Sequence, residues 1–215
     1  MKENMTEKLK NKMMLKFDDP LVEKTEWTTI SWGGHKFQDY EGFQSDETRF
    51  EFKITKQLYK YIIRLPVFLT LLGLFLFFLY LFFDFNLVLT VMFLGFLPLT
   101  GFGTAYLYHK KLSKPFVFDT RLGYFWKGNL TPESKEAINK TKLIIKTQDI
   151  YALQLLYQSI RPYFRSYKCY ELNLVLNDGR RQILLDHCNR HKMEEDAEGL
   201  AKFLGVPLWN TMINP

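Results

Sequence analysis

The sequence predicts an α-helical membrane hairpin joined to a β-rich α+β domain in the cytoplasm, and three observations favour this fold class. Two long segments, residues 65–83 and 85–108, contain no charged side chain. Alternating apolar and polar residues, typical of half-buried strands, occur on both sides of these segments. Near the C terminus the apolar spacing changes to that of an amphipathic helix.

The residues before the apolar segments divide into a tail and a short β region. Residues 1–25 are polar and rich in lysine, and we expect a frayed tail or a short helix. Residues 26–60 are expected to form strands, one near 27–31 and one at 48–54. In the second strand Phe50 and Phe52 alternate with charged residues, so its two faces differ in polarity.

The uncharged segments predict transmembrane helices at residues 61–83 and 86–109. A bilayer core of about 30 Å requires about 20 apolar residues in a helix, and both segments are long enough. The link between them is so short that the helices must be adjacent and antiparallel. Because lipid cannot hydrogen-bond an open backbone, the turn must lie at the far interface.

Charges at the ends of the two spans predict their orientation. Basic residues border the outer ends, whereas residues 84–86 contain one aspartate and no lysine or arginine. The positive-inside rule therefore places both termini in the cytoplasm and the protein in the inner (plasma) membrane. The cations expected to anchor it there are Lys60, Arg64, Lys110, Lys111 and Lys114.

Small residues in the second span predict close helix packing. Gly101 and Ala105 are four residues apart, a spacing that lets helix backbones approach within the hairpin or between copies. Ordinary membrane glycine is the alternative interpretation. Neither span carries an ionisable side chain, which disfavours a transporter or a channel.

Residues 115–209 alternate between strand-like runs and turns until a helix begins. The sequence Asn177-Asp178-Gly179 predicts a tight hairpin, because these residues tolerate positive φ. A helix is predicted at 193–204, with Asn189 as its N-cap and Gly205 at its end.

The order of these segments resembles pleckstrin-homology-like domains in bacterial membrane proteins that have two spans. The runs that carry the resemblance are residues 116–119, 123–126, 150–156, 170–180 and 203–209. The resemblance implies a small barrel or sandwich with a C-terminal amphipathic helix. Since about five strands follow the spans, fewer than this fold requires, we hypothesise that the strands near 27–31 and 48–54 complete one joint domain.

A basic and aromatic stretch between two predicted strands is the candidate binding site for lipid or a protein partner. Cations contact lipid phosphates, and aromatic rings lie at headgroup depth. An exposed inter-strand loop is the alternative interpretation. The candidate residues are Arg161, Tyr163, Phe164, Arg165, Tyr167 and Lys168.

No catalytic site, metal site or cofactor is predicted. His187 and His191 are four residues apart, but no second pair of ligands accompanies them. Asp186, His187 and Cys188 are consecutive, and neighbours on a strand point to opposite faces. Cys169 and Cys188 are expected to be free thiols in a reducing cytoplasm.

These features predict a non-enzymatic membrane protein whose cytoplasmic domain binds a protein partner or anionic lipid headgroups. Its expected partners are the bilayer and a protein, or a second copy through the hairpin. The formal net charge is +6, but no basic helix or RNA-binding signature accompanies it, so nucleic acid is not expected. The alternative is an immunity protein that protects a bacterium against a membrane-acting toxin from an interbacterial secretion system.

Overall fold

The computed structural model describes residues 11, 13–31, 39–83, 87–132, 143–160 and 167–212. It contains two compact units: a β-rich unit, Met1–Lys53 with Pro115–Pro215, and a helical unit, Ile54–Lys114. In chain order the elements are α1 (Pro20–Lys24), β1 (Tyr40–Gln44), β2 (Arg49–Ile54), α2 (Lys56–Phe83), α3 (Leu87–Leu112), β3 (Phe116–Asp119), β4 (Tyr124–Lys127), β5 (Ile144–Lys146), β6 (Ile150–Ile160), β7 (Tyr167–Leu176), β8 (Arg181–His187), α4 (Arg190–Leu204) and β9 (Leu208–Asn210).

The first sheet joins strands from both sides of the helical unit, in the order β1-β2-β3-β4-β5. β2 pairs antiparallel with β3, so that Phe50 lies opposite Phe118 and Phe52 opposite Phe116. Their rings are buried, as is Phe125 of β4, because the alternation of each strand turns them to the same side. This pairing agrees with the hypothesis that the two ends of the chain form one joint domain.

The second sheet has the order β8-β7-β6-β9. β6 and β7 form a long antiparallel ladder, and β7 turns into β8 at Gly179, whose φ is +84°. That positive φ is the reason the predicted turn contains glycine. β9 returns parallel to β6, with Leu208 opposite Leu153.

The two sheets are separate, and no closed barrel forms within the described part of the chain. The α+β class is therefore confirmed, and the small-barrel alternative is wrong. Seven described strands follow the helical unit, so the expectation of about five was too low. The three-residue strand β9 is too short to be recognised from alternation.

The C-terminal helix α4 agrees with its sequence signals and begins three residues earlier than predicted. The Asn189 side chain accepts a hydrogen bond from Lys192 N, and Gly205 adopts φ +67° at the end. One face of the helix packs against the second sheet. Its buried residues are Met193, Asp196, Ala197, Leu200 and Ala201.

The N-terminal region agrees with the prediction in one respect and differs in another. Residues 13–17 are helical and α1 follows them, so the short-helix alternative holds and the frayed tail does not. Residues 27–31, expected as a strand, form no strand pairing. The apolar side chains of this region instead cover the second sheet in one cluster, consisting of Met13, Leu21, Val22, Trp27, Ala152, Leu156, Val175 and Trp209.

In the helical unit α2 and α3 pack side by side and run antiparallel. Tyr59, early in α2, has its ring centroid 5.9 Å from that of His109, late in α3. Gly101 approaches Pro66 and Leu69 between those positions. Among the described residues one helix, Lys56–Leu79, is long and apolar enough to cross a membrane, with a mean hydropathy of 2.4. The two-span arrangement predicted at 61–83 and 86–109 is therefore not supported by the described residues, in which one helix meets the criterion by length and composition.

Candidate functional site

The predicted basic and aromatic stretch is only partly described. Tyr167 and Lys168 are the first residues of β7, where they lie opposite Ile160 and Ser159 of β6. The other predicted residues lie outside the described part of the chain, and they are Arg161, Tyr163, Phe164 and Arg165.

Lys168 borders a small pocket in the β-rich unit, and we call it the basic pocket. Its volume is 200 Å³, enough for a phosphate-sized group. It is formed by the ends of β6 and β7, the start of α4 and the residues after β9. Its lining residues are Tyr157, Lys168, Tyr170, Arg190, Thr211 and Met212.

Strand register explains how the basic pocket is assembled. Tyr157 lies opposite Tyr170, so both rings project from the same face of the second sheet. Lys168 shares that face because it is two residues before Tyr170. Arg190 is the first residue of α4 and follows the Asn189 cap directly.

The pocket combines two cations with two phenol groups. The Arg190 guanidinium donates to the Glu194 carboxylate at 3.1 Å, and this hydrogen bond raises the pKa of Arg190. Lys168 is exposed. Tyr157 is 52% exposed, whereas Tyr170 is buried. Such a set of donors can bind a phosphate or carboxylate through charge-assisted hydrogen bonds.

A neutral histidine lies beside the pocket. His187 is opposite Tyr170 in the β7–β8 ladder and is buried. Burial lowers the pKa of His187 to about 4, so the imidazole is uncharged at neutral pH. Its Nδ1 accepts a hydrogen bond from Asn189 N at 3.2 Å, which anchors the entry to α4.

The two cysteines form a disulfide, and the prediction of free thiols is wrong. Because Tyr170 pairs with His187, the next positions, Cys169 and Cys188, face each other with their Cα atoms 4.1 Å apart. The sequence around each cysteine did not indicate that the register of β7 and β8 would place the two opposite each other. The disulfide ties the start of β7 to the end of β8, next to the pocket residues Lys168 and Tyr170.

No metal centre appears in the described residues, where no group of three histidine, cysteine, aspartate or glutamate side chains comes together. His187 ends β8, whereas His191 lies in α4, so the two do not share one helix face. Cys188 is bonded to Cys169 and is not a thiol nucleophile in this form.

One buried carboxylate stands out between α4 and β1. Asp196 is 6% exposed, and its Oδ1 accepts a hydrogen bond from Gly42 N at 3.2 Å. Its Oδ2 has no hydrogen-bond partner within the described structure. Burial raises the pKa of Asp196 to about 6.

In the helical unit, Lys60 and Arg64 lie along α2 beside an apolar groove that includes Val67 and Leu71. Lys110 is on α3, and Lys114 follows it. Both side chains are exposed. Lys111 belongs to α3, but its side chain lies outside the described residues. The positions of these basic residues do not test their predicted membrane-anchoring role, which stays a prediction.

Comparison with known proteins gives no relative: no family model, no curated protein and no solved structure matches this chain.

Sequence reasoning found Lys168 but missed the rest of the basic pocket. Tyr157, Tyr170 and Arg190 come from three separate segments, and only the strand register and the position of α4 bring them together. The alternation of β6 and β7 carried a signal, since it places both tyrosines on one face.

Proposed function

We propose that this protein is a non-enzymatic membrane-anchored module whose basic pocket binds the phosphate of anionic lipid headgroups. The observation that carries the proposal is that Lys168 and Arg190 line one pocket together with Tyr157 and Tyr170. Anionic headgroups present a phosphate next to apolar chains. A pocket of cations and amphipathic rings suits that combination.

The helical hairpin supports the membrane anchor in this proposal. α2 has 28 residues and α3 has 26, and each exceeds the length needed to cross a bilayer. Large apolar side chains on both helices are exposed, including Phe68, Leu71 and Phe96. Exposure of such a surface to water is unfavourable, whereas contact with lipid chains is not. We propose that both helices span the membrane.

Flanking charge supports a cytoplasmic position for the β-rich unit. Lys60 and Arg64 early in α2 lie at the same end of the hairpin as Lys110 and Lys114, which satisfies the positive-inside rule. The Cys169–Cys188 disulfide favours an oxidising compartment instead, because such bonds persist there. The flanking charges decide the proposal, because they fix the orientation during insertion, whereas a cross-strand pair of cysteines can oxidise later.

The proposal is tested with full-length protein in an uncharged detergent. Dihexanoyl phosphatidylglycerol is titrated against it, and dihexanoyl phosphatidylcholine serves as the zwitterionic comparison. Lys168→Glu and Arg190→Glu should each weaken binding of the anionic lipid at least about tenfold, since a hydrogen bond to a charged group contributes about 1.5–3 kcal/mol. The matched control is Lys202→Glu, an exposed reversal on α4 outside the pocket.

Three results would contradict the proposal. Equal affinity of the wild type for both lipids would remove the anionic ligand. Equal effects of Lys168→Glu and Lys202→Glu would show that overall charge, and not the basic pocket, governs binding. Extraction of the wild-type protein from membranes by alkaline carbonate would contradict the spanning hairpin.

A further inference from the structure

Residues 26–31 cross one face of the second sheet without pairing to it as a strand, and we call this segment the strap. The face beneath it belongs to β6, β7 and β8. The contacting side chains are polar, although the middle of a sheet is normally covered by apolar groups. They are Gln154, Gln158, Glu171, Arg181 and Asp186.

One carboxylate binds two consecutive main-chain amides of the strap. Oε1 of Glu171 accepts from Ile30 N at 2.9 Å, and Oε2 accepts from Ser31 N at 2.7 Å. Asn173 donates to the same Oε1 at 2.8 Å and so fixes the carboxylate in position. Both residues are buried in the central strand β7.

Main-chain carbonyls of the strap are bound by three further side chains. Gln154 donates to Glu26 O at 2.9 Å, and Arg181 donates to Thr28 O at 2.7 Å. The remaining donor is Gln158, whose amide reaches the carbonyl of Ser31 at 3.2 Å.

Three side chains of the strap complete the set of contacts. The exposed Glu26 carboxylate accepts from the Arg181 guanidinium at 3.2 Å. Thr29 donates to Oε1 of Gln158 at 2.6 Å, and Ser31 donates to the Asp186 carboxylate at 2.9 Å. The side chains of Thr28 and Ile30 are exposed. Recognition of the strap therefore depends mainly on its main chain and two hydroxyls, with one solvent-exposed ion pair at Glu26 and with Trp27 as its one buried apolar anchor.

The polarity of this contact makes the strap exchangeable. Withdrawing an apolar cover costs about 25 cal/mol for each Å² of apolar surface exposed. Withdrawing the part of the strap after Trp27 exposes mainly amide and carboxylate groups, which water can hydrogen-bond. Elements with few apolar contacts open at low free energy. The uncovered face would keep its row of donors and acceptors for an extended main chain.

We infer that this face is a peptide-binding groove that holds the chain's own strap and accepts an extended segment of a protein partner in its place. The partner segment would present two consecutive main-chain amides to Glu171 and a carbonyl to Arg181. Small hydroxyl residues would fit Gln158 and Asp186. This interaction is separate from headgroup binding at the basic pocket, so either can exist without the other.

The strap competes with any partner because it is tethered. An attached segment acts at an effective concentration of about millimolar or above, so a free peptide must displace it. Weakening one strap contact should therefore strengthen peptide binding. If the contacts served stability alone, weakening one of them would not increase the affinity for a peptide.

The test uses full-length protein in detergent and a fluorescent peptide with the sequence of residues 24–31. Ser31→Pro removes the amide that donates to Glu171 and leaves Trp27 in its cluster. Ser31→Ala keeps that amide and is the matched control. Fluorescence anisotropy should show the peptide binding to Ser31→Pro at least about tenfold tighter than to wild type, since a hydrogen bond to a charged group contributes about 1.5–3 kcal/mol.

A second peptide, N-methylated at the positions of Ile30 and Ser31, checks the mode of binding. It should bind Ser31→Pro at least about tenfold more weakly than the unmodified peptide, because it lacks both donors to Glu171. Equal binding of the two peptides would overturn the inference. So would equal peptide affinity of Ser31→Pro and wild type, with hydrogen exchange confirming that both proteins are folded.

Discussion

Gly101 of α3 lies so close to Pro66 of α2 that a Cβ on the glycine would stand 2.9 Å from the proline Cα. The same Cβ would stand 2.9 Å from a terminal carbon of Leu69. Backbone atoms cannot move aside as a flexible side chain can. The close approach predicted from Gly101 and Ala105 therefore occurs within the hairpin at Gly101.

Replacing Gly101 by alanine should destabilise the hairpin. Overpacking a tight contact costs about 1–3 kcal/mol. Gly103→Ala is the control, because a Cβ there meets nothing within 4 Å and alanine favours a helix. Thermal unfolding in detergent should show a lower midpoint for Gly101→Ala and an unchanged or higher one for Gly103→Ala. The reverse order would contradict the packing.

The β-rich unit should fold without the helical unit. Because Phe52 lies opposite Phe116, the neighbouring Lys53 and Pro115 are close enough to be joined by a two-residue Asn-Gly turn. A protein in which this turn replaces residues 54–114 should give a dispersed NMR spectrum and a cooperative unfolding transition. Residues 115–215 alone should not, since they lack β1 and β2. A folded C-terminal fragment would argue against the joint domain.

Asp196 should make stability depend on pH between about 4 and 6. Burial raises its folded-state pKa to about 6 from 3.8, so the ionised form is disfavoured in the native protein. The resulting cost is fully present above pH 6 and disappears below the unfolded value. Asp196→Asn keeps an oxygen for Gly42 N and should stabilise the protein at pH 8 by on the order of 1–3 kcal/mol.

Urea unfolding at pH 8 and pH 4 measures that difference. The stabilisation by Asp196→Asn should shrink towards zero at the lower pH. Glu195→Gln is the control: its hydrogen bond to Lys192 lowers the pKa of Glu195, so its removal should not stabilise at pH 8. A constant effect of Asp196→Asn across this range would contradict the assignment.

Reducing the Cys169–Cys188 disulfide should lower the free energy of unfolding. The bond closes a loop between residues 19 apart, and a loop of about 15 residues corresponds to about 3 kcal/mol in the chain-entropy model. Denaturant midpoints with and without dithiothreitol measure the effect, and Cys169→Ala/Cys188→Ala should not respond. Maleimide labelling of unreduced, unfolded wild-type protein would show that the bond is absent.

Local signals in the sequence predicted the second half of the β-rich unit well. Asn189 and Gly205 mark the ends of α4, and the turn at Gly179 joins β7 to β8 as expected. These features depend on a few neighbouring residues with strong backbone preferences. The identity of a few neighbouring residues therefore reveals them.

Long-range relationships were beyond sequence reasoning. The strap has the β-branched residues of a strand, but buried side chains such as Glu171 bind its backbone, and no pattern in residues 26–31 shows that. The disulfide depends on the β7–β8 register, and the basic pocket depends on Arg190 reaching the sheet from α4. Each requires the relative position of distant segments, which alternation does not encode.

The pairing of β2 with β3 also fixes an order of events during translation. β2 leaves the ribosome before the whole helical unit, and β3 leaves after it. At about 5–20 residues per second, one edge of β2 waits several seconds for its partner. Such an edge is open to other chains. The newborn protein therefore has a period of vulnerability that ends only when the strand beyond the helices arrives.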